Sequence, residues 1–198
     1  GTTCQSTGTI MTASGACTFT PTAYKISIFE MGLCTANPFG VAQTGTTFDR
    51  TSCVTTYADA APVTVDVAAS LGGAPISLTG TSTPPAENTY THAYMMMGDT
   101  FTVSGSFVNG ANTFVSRADG SATTGIGNIQ EAANNLTNFG DGTNCDSGFL
   151  NVPVSSGTMS AFITNAALVR SVRTGGAAGN PSVCANSGRL TGVMTLTT

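Results

Sequence analysis

The sequence predicts an all-β protein, an antiparallel β-sandwich of the Ig-like or jelly-roll-like kind, stapled by disulfides and with at most one short helix. Three observations predict it. Apolar and polar residues alternate in short runs along the chain, as in Val63-Thr64-Val65-Asp66-Val67, and a period of two marks a half-buried strand. Clusters of Gly, Pro, Asn and Ser separate the runs every 8–12 residues or so, roughly the spacing of sandwich strands. Threonine is the commonest residue, and β-branched side chains suit a pleated surface.

In chain order, the first strand is Tyr24-Lys25-Ile26-Ser27-Ile28-Phe29-Glu30-Met31. Alternation puts Tyr24, Ile26, Ile28 and Glu30 on one face and Lys25, Ser27, Phe29 and Met31 on the other. Val63–Val67 follows, then the shorter Ile76-Ser77-Leu78-Thr79. Strands are next expected over residues 89–97, 100–108, 114–116, 148–154, 158–164, 167–172 and 189–197. Asn109-Gly110 predicts a primed hairpin turn with positive φ at both central residues. Asp119-Gly120 is a second turn signal, and Gly72-Gly73 separates Leu71 from the next strand. Pro84-Pro85-Ala86-Glu87 leads into the Tyr90 strand in a conformation that excludes helix. One helix is expected, Ile126 to Phe139. There Ile129, Ala132, Ala133 and Leu136 fall at helical spacing and Gly140 stands ready to cap. With no internal repeat and no long linker, residues 1–198 read as a single domain.

Charge is scarce. Only 8% of the 198 residues are charged, net charge is −4, and Lys25 is the sole lysine. The balance excludes nucleic-acid binding through phosphate neutralisation, which needs a basic patch. It also excludes disorder of the highly charged kind and a helical bundle rich in Ala, Glu, Lys and Leu. No stretch approaches the roughly 20 apolar residues of a membrane helix, so no membrane insertion is expected. The chain begins at Gly1 without a charged or apolar leader and reads as a mature secreted chain.

The six cysteines are Cys4, Cys17, Cys34, Cys53, Cys145 and Cys184. Their even number, long spacings and lack of a C-x-x-C argue for three disulfides in an oxidising compartment rather than a zinc or thioredoxin-type site. Of the fifteen connectivities that six cysteines allow, local closure favours Cys4–Cys17, Cys34–Cys53 and Cys145–Cys184. Extracellular or cell-surface location follows.

Candidate chemistry is sparse. His92, the one histidine, shares a face with Tyr90, Tyr94 and Met96. Nucleophilic catalysis would have to use it as base, but no G-x-S-x-G surrounds a serine, and a packed sheet residue is the better reading. Met95-Met96-Met97 with His92 suggests copper, yet Met96 points opposite to its neighbours on a strand, which leaves core filling as the expected role. Asp141, Asn144 and Asp146 lie in a loop resembling a calcium site. The order of ligands fails, because Thr143 takes the third position and no Glu follows. Glu30 is the one acid inside an apolar strand and is expected to pair with Lys25 or an Arg, or to lie on an exposed face. The other acids are scattered beside turns, so paired-carboxylate hydrolysis is not supported. Asn135-Leu136-Thr137 fits a glycosylation sequon. No catalytic residue and no cofactor is assigned, and the chain is not read as an enzyme.

The termini carry a different chemistry. Residues 1–13 are uncharged, with Thr9, Ile10 and Met11 at their apolar centre. The last strand places Leu190, Gly192, Met194 and Leu196 on one face and Val193 on the other. An uncharged terminal strand can complete a neighbouring subunit's sheet through main-chain hydrogen bonds, and soluble β-proteins guard their edges with Lys, Glu or Pro. With one Lys and three Glu, little such protection is expected here.

From Thr22 to Phe107 the arrangement resembles secreted bacterial and archaeal β-sandwich proteins. The resemblance rests on the strand Tyr24 to Cys34, the segment Val65 to Leu78, and Pro85-Ala86-Glu87-Asn88-Thr89-Tyr90, which is similar to a P-A-G-x-Y lead into a sandwich strand with Glu87-Asn88 replacing the Gly. It implies the fold. In overall character the chain is also similar to non-enzymatic subunits of extracellular filaments, the donor-strand-exchange pilins and TasA-like fibre proteins. The expectation is therefore a structural subunit of a filament, pilus or surface assembly, a homopolymer joined by strand addition. Thr2 to Thr12 is the first-choice donor and Thr191 to Thr197, carrying Val193, Met194 and Leu196, the second. The alternative is a secreted adhesin or carbohydrate-binding module that recognises glycans, with calcium in the Asp141–Asp146 loop.

Overall fold

The computed structural model describes residues 21–40, 47–68, 70, 73–109, 111–119, 122–124, 128–136, 149–154, 157–170, 173–174, 183–184 and 188–196. It is all-β and antiparallel. In chain order the strands are β1 Ala23–Cys34, β2 Cys53–Ala58, β3 Thr64–Asp66, β4 Thr81–Ser82, β5 His92–Gly98, β6 Thr100–Ser104, β7 Ser106–Asn109, β8 Asn112–Ser116, β9 Ala122–Thr124, β10 Ala132–Asn135, β11 Phe149–Val154, β12 Gly157–Thr164, β13 Arg173–Thr174, β14 Val183–Cys184 and β15 Arg189–Leu196.

The chain divides into two compact units. The first comprises Gly1–Ile26, Thr64–Ser77 and Thr100–Asn135; the second comprises Ser27–Val63, Leu78–Asp99 and Leu136–Thr198. Strand β1 contributes its first residues to one unit and the rest to the other.

In the first unit, β6 lies between the start of β1 and β10, and β3 also pairs with β1. Tyr24 stacks on Phe101 at 5.6 Å, and Lys25 forms an ion pair with Glu131. A separate meander, β7-β8-β9, follows Gly105. Ser116 ties the segments together, its hydroxyl accepting from Gly105 N–H at 3.1 Å and donating to Gln130 C=O at 2.7 Å. Phe114 and Val115 are buried beside it in sequence.

In the second unit the strand order is β4-β2-β1-β5-β15-β12-β11, with β13-β14 as a separate hairpin. The register fixes two faces. Direct pairs Gly32↔Tyr94, Tyr94↔Val193 and Thr191↔Phe162 share one face; Met31↔Met95, Met95↔Gly192 and Gly192↔Ala161 share the other. A bulge between Ile28 and Glu30 keeps both faces of β1 in step with β5. The first face is covered by aromatic residues from the loop between Cys34 and Cys53. Phe39 meets Phe162 edge-on at 4.6 Å and Phe48 at 5.4 Å, and Phe48 meets Tyr94 at 5.0 Å. Pro38, Phe39 and Phe162 are essentially inaccessible. Arg170 closes the stack, its guanidinium 3.6 Å from the Phe162 ring centroid and 4.5 Å from that of Phe39. Thr164 and Thr191, fully buried on this face, satisfy each other at 2.8 Å.

Several expectations are corrected. Residues 132–135 form a strand, not the centre of a helix over 126–139, and Ile129, expected on its buried face, is 45% exposed. Asn134 and Asn135 are poor helix formers, and β6 offers their backbone a complete ladder. Ile76–Thr79 is loop: its end is held by side-chain bonds, Thr79 Oγ1 donating to Asp59 at 2.8 Å and the adjoining Gly80 N–H to Tyr57 Oη at 3.2 Å. Within 167–172 the described residues form only isolated bridges, because a turn at Asn165 intervenes. It sets Leu168 at φ 61° so that this side chain enters the core. The hairpin after β7 pairs Asn109 with Asn112, so Asn109 ends the strand rather than standing in the turn, and Gly110 lies outside the described residues. Leu168 is a non-glycine residue in the left-handed region.

Candidate functional site

The most concentrated polar chemistry among the described residues sits on the aromatic-covered face. Sheet register places Glu30 beside Met96 and two residues from Gly32. Gly32 has no side chain, and Tyr94, its direct partner, lays its ring there; a Cβ on Gly32 would stand 2.5 Å from Tyr94 Cε1. Tyr94 thereby reaches Glu30 and donates to its carboxylate at 2.6 Å. Thr55 Oγ1 donates to the same carboxylate at 3.2 Å and lies 3.1 Å from Tyr94 Oη. Arg50 binds Glu30 with both terminal nitrogens, a two-pronged pair. Its fork also lies 3.8 Å from Met96 Sδ and 5.9 Å from the Phe48 ring centroid.

Burial pushes the Glu30 carboxyl up, but the hydrogen bonds from Arg50, Tyr94 and Thr55 and the Arg50 charge together hold it below its ordinary value. Burial and the hydrogen bond to Glu30 push Tyr94 up to about 12. The Glu30 hydrogen bond raises Arg50. All three groups are therefore locked in their neutral-pH ionisation states, which suits a structural anchor and not proton transfer near pH 7. The cluster fastens the loop carrying Phe39 and Phe48 onto the sheet.

The disulfide Cys34–Cys53 fastens the same loop at its base. The two cysteines are directly opposed across β1 and β2, with Cα atoms 4.0 Å apart. This is one of the three pairings that local closure favours. Cys4, Cys17 and Cys145 lie outside the described residues, and Cys184 is described only in its β14 backbone. His92 stands opposite Cys34 on β5, its Nδ1 2.9 Å from Thr91 Oγ1, and burial lowers its pKa. It is a sheet residue on the face of Tyr94 and Met96, as alternation predicts.

Glu30 pairs with Arg50, whereas Lys25 pairs with Glu131. The sequence left Lys25, an Arg or an exposed face open for Glu30, and gave no sign of Tyr94 or Thr55. The usable signal was the Cys34–Cys53 spacing: closing that loop returns Arg50 to the strand that holds Glu30. Val193, Met194 and Leu196 lie in β15, between β5 and β12 and paired on both sides. Thr9, Ile10 and Met11 lie outside the described residues, as do Asp141, Asn144 and Asp146. No group of three or more His, Cys, Asp or Glu is placed to hold a metal among the described residues. No described helix is long and apolar enough to cross a membrane. The chain matches no known protein family, and no curated protein or solved structure is similar to it.

Proposed function

We propose that this chain is a structural subunit of an extracellular assembly, joined to its neighbours by β-strand addition, with residues 2–12 as donor. The observation that carries the reading is the outer edge of β7. Ser106-Phe107-Val108-Asn109 carries no charge and no proline, and Val108 is 72% exposed. Among the described residues β7 pairs on one side only, with β8. Such an edge is a template for an incoming strand.

The scarcity of charge favours the same reading, since few groups lose hydration when subunits meet. The Cys34–Cys53 disulfide suits an oxidising compartment. The C-terminal strand is withdrawn as a second donor, because β15 already has partners on both sides and donating it would empty the middle of its own sheet.

The edges of the second unit's sheet do not suit as acceptors. Strand β11 carries a register shift between Phe149 and Val152 and the exposed Pro153; β4 is two residues long, with Pro84 and Pro85 just beyond it. Both are guarded in ways that sequence counting of Lys and Glu overlooked.

Negative-stain microscopy and size-exclusion chromatography of the whole chain test the proposal. Oligomers or filaments are expected, lost on deleting residues 1–13 and weakened by Val108→Lys. A monomer at high concentration overturns the reading.

A further inference from the structure

The second face of the sheet in the second unit has a composition unlike the first. Its positions on β1, β5, β15 and β12 are occupied by Ile28, Met31, Leu33, Ala93, Met95, Met97, Leu190, Gly192, Met194, Leu196, Gly157, Met159, Ala161 and Ile163, without one nitrogen or oxygen in a side chain. Five of the seven methionines of the chain stand there.

Three of them are close neighbours. Met31 is directly opposite Met95, a relation that sets Cβ atoms about 4.5–5.5 Å apart. Met97 follows Met95 on the same face and is diagonal to Met31 across the bulge, at about 7–8 Å. All three are half-buried. Beside Met95 stands Gly192, where an added Cβ would meet only the backbone oxygens of Met95 and Ser160, at 3.9 and 4.0 Å. Register therefore brings the three methionines onto adjacent positions of one face, beside a residue that has no side chain.

We propose that Met31, Met95 and Met97 form a binding site for a soft monovalent cation of the Cu(I) or Ag(I) class. Thioethers are soft, polarisable donors that prefer such ions to hard cations. Among the described residues of β1, β5, β15 and β12, no carboxylate, imidazole or amide on this face competes to recruit Ca²⁺, Mg²⁺ or Zn²⁺. The triplet Met95-Met96-Met97 is not itself the ligand set, since Met96 is 2% exposed and faces the aromatic core with His92. Pairing of β1 with β5 replaces it by Met31.

Ag(I), which binds without electron transfer, is the probe. The whole chain, with any free thiol alkylated, is titrated by calorimetry and followed by NMR of ¹³C-labelled methionine methyl groups. A single Ag(I) is expected to bind, shifting the methyl signals of Met31, Met95 and Met97 together and leaving that of Met96 in place. Met95→Leu and Met31→Leu are expected to weaken binding roughly ten-fold or more, and Met96→Leu to leave it intact. Thermal melts of each variant establish that it is folded. No binding by the parent chain, or undiminished binding by folded Met95→Leu, overturns the site.

Discussion

The two faces of the second unit's sheet are built from the same strands and the same hydrogen-bond ladder, yet they solve burial differently. One face is a rigid assembly: edge-on aromatic rings, a guanidinium over two of them, a carboxylate with three donors and a disulfide at the margin. Each group there has a specific partner, so each position is demanding. The other face is aliphatic and thioether on β1, β5, β15 and β12 and adaptable in shape; on β2 it carries Tyr57, opposite Met31. Pairing alone does not distinguish them; side-chain chemistry does.

The largest effect that would sharpen this contrast comes from the centre of the rigid face. Phe162→Ala removes a fully buried ring that touches Phe39 and carries Arg170. A loss of about 3–5 kcal/mol in denaturant unfolding is expected. A loss below 1 kcal/mol or so, less than a typical core truncation, would show that the aromatic cover is not the core.

Next is the disulfide. Cys34 and Cys53 are 19 residues apart in sequence, and a loop of that size is worth about 3 kcal/mol through the unfolded chain. The double variant Cys34→Ala/Cys53→Ala should lose this amount and expose the loop carrying Phe39 and Phe48 to hydrogen exchange before the strands.

Glu30→Gln comes third. It removes the charge that Arg50 and Tyr94 address, at an expected cost of about 1–3 kcal/mol. Because the folded Glu30 carboxyl is held below its ordinary 4.5, the unfolded chain binds more protons near that value. The contribution is complete above 4.5 and is lost as pH falls through the lower folded value. His92, lowered by burial, acts with the same sign: its contribution fades as pH falls below its ordinary 6.5. Urea melts against pH should therefore show a stability loss below 4.5 that Glu30→Gln diminishes. An unchanged acid limb in the variant would remove Glu30 from the anchor.

The smallest effects belong to the other face. Met95→Leu and Met31→Leu preserve volume and polarity and should cost less than about 1.5 kcal/mol, even while weakening Ag(I) binding. Peroxide should oxidise Met159, 36% exposed, before Met96, 2% exposed. Mass spectrometry of limited-oxidation samples reads the order directly, and early oxidation of Met96 would contradict the assignment of faces.

Much of this architecture was legible in the chain. Strong alternation located β1, β5, β12 and β15, and it predicted that Met96 turns away from Met95 and Met97. Strand β2 escaped notice because Val54-Thr55-Thr56-Tyr57 lacks an apolar–polar period, and β10 because Ala-Ala-Asn-Asn imitates a helix when read without β6 beside it. The anchor at Glu30 was half legible: an acid in an apolar strand demands a partner, but its identity depends on loop closure.

The sequence by itself determined the all-β class, the scarcity of charge and the cysteine spacing that brings Cys34 to Cys53, since composition, period and short-range closure are local properties. Only the tertiary structure decided that Arg50, Thr55 and Tyr94 meet at Glu30, that β15 is interior, and that Met31 joins Met95 and Met97. Those relations are matters of register between strands distant in sequence. Register is set by which faces are buried together, and a single-residue slip would exchange them all.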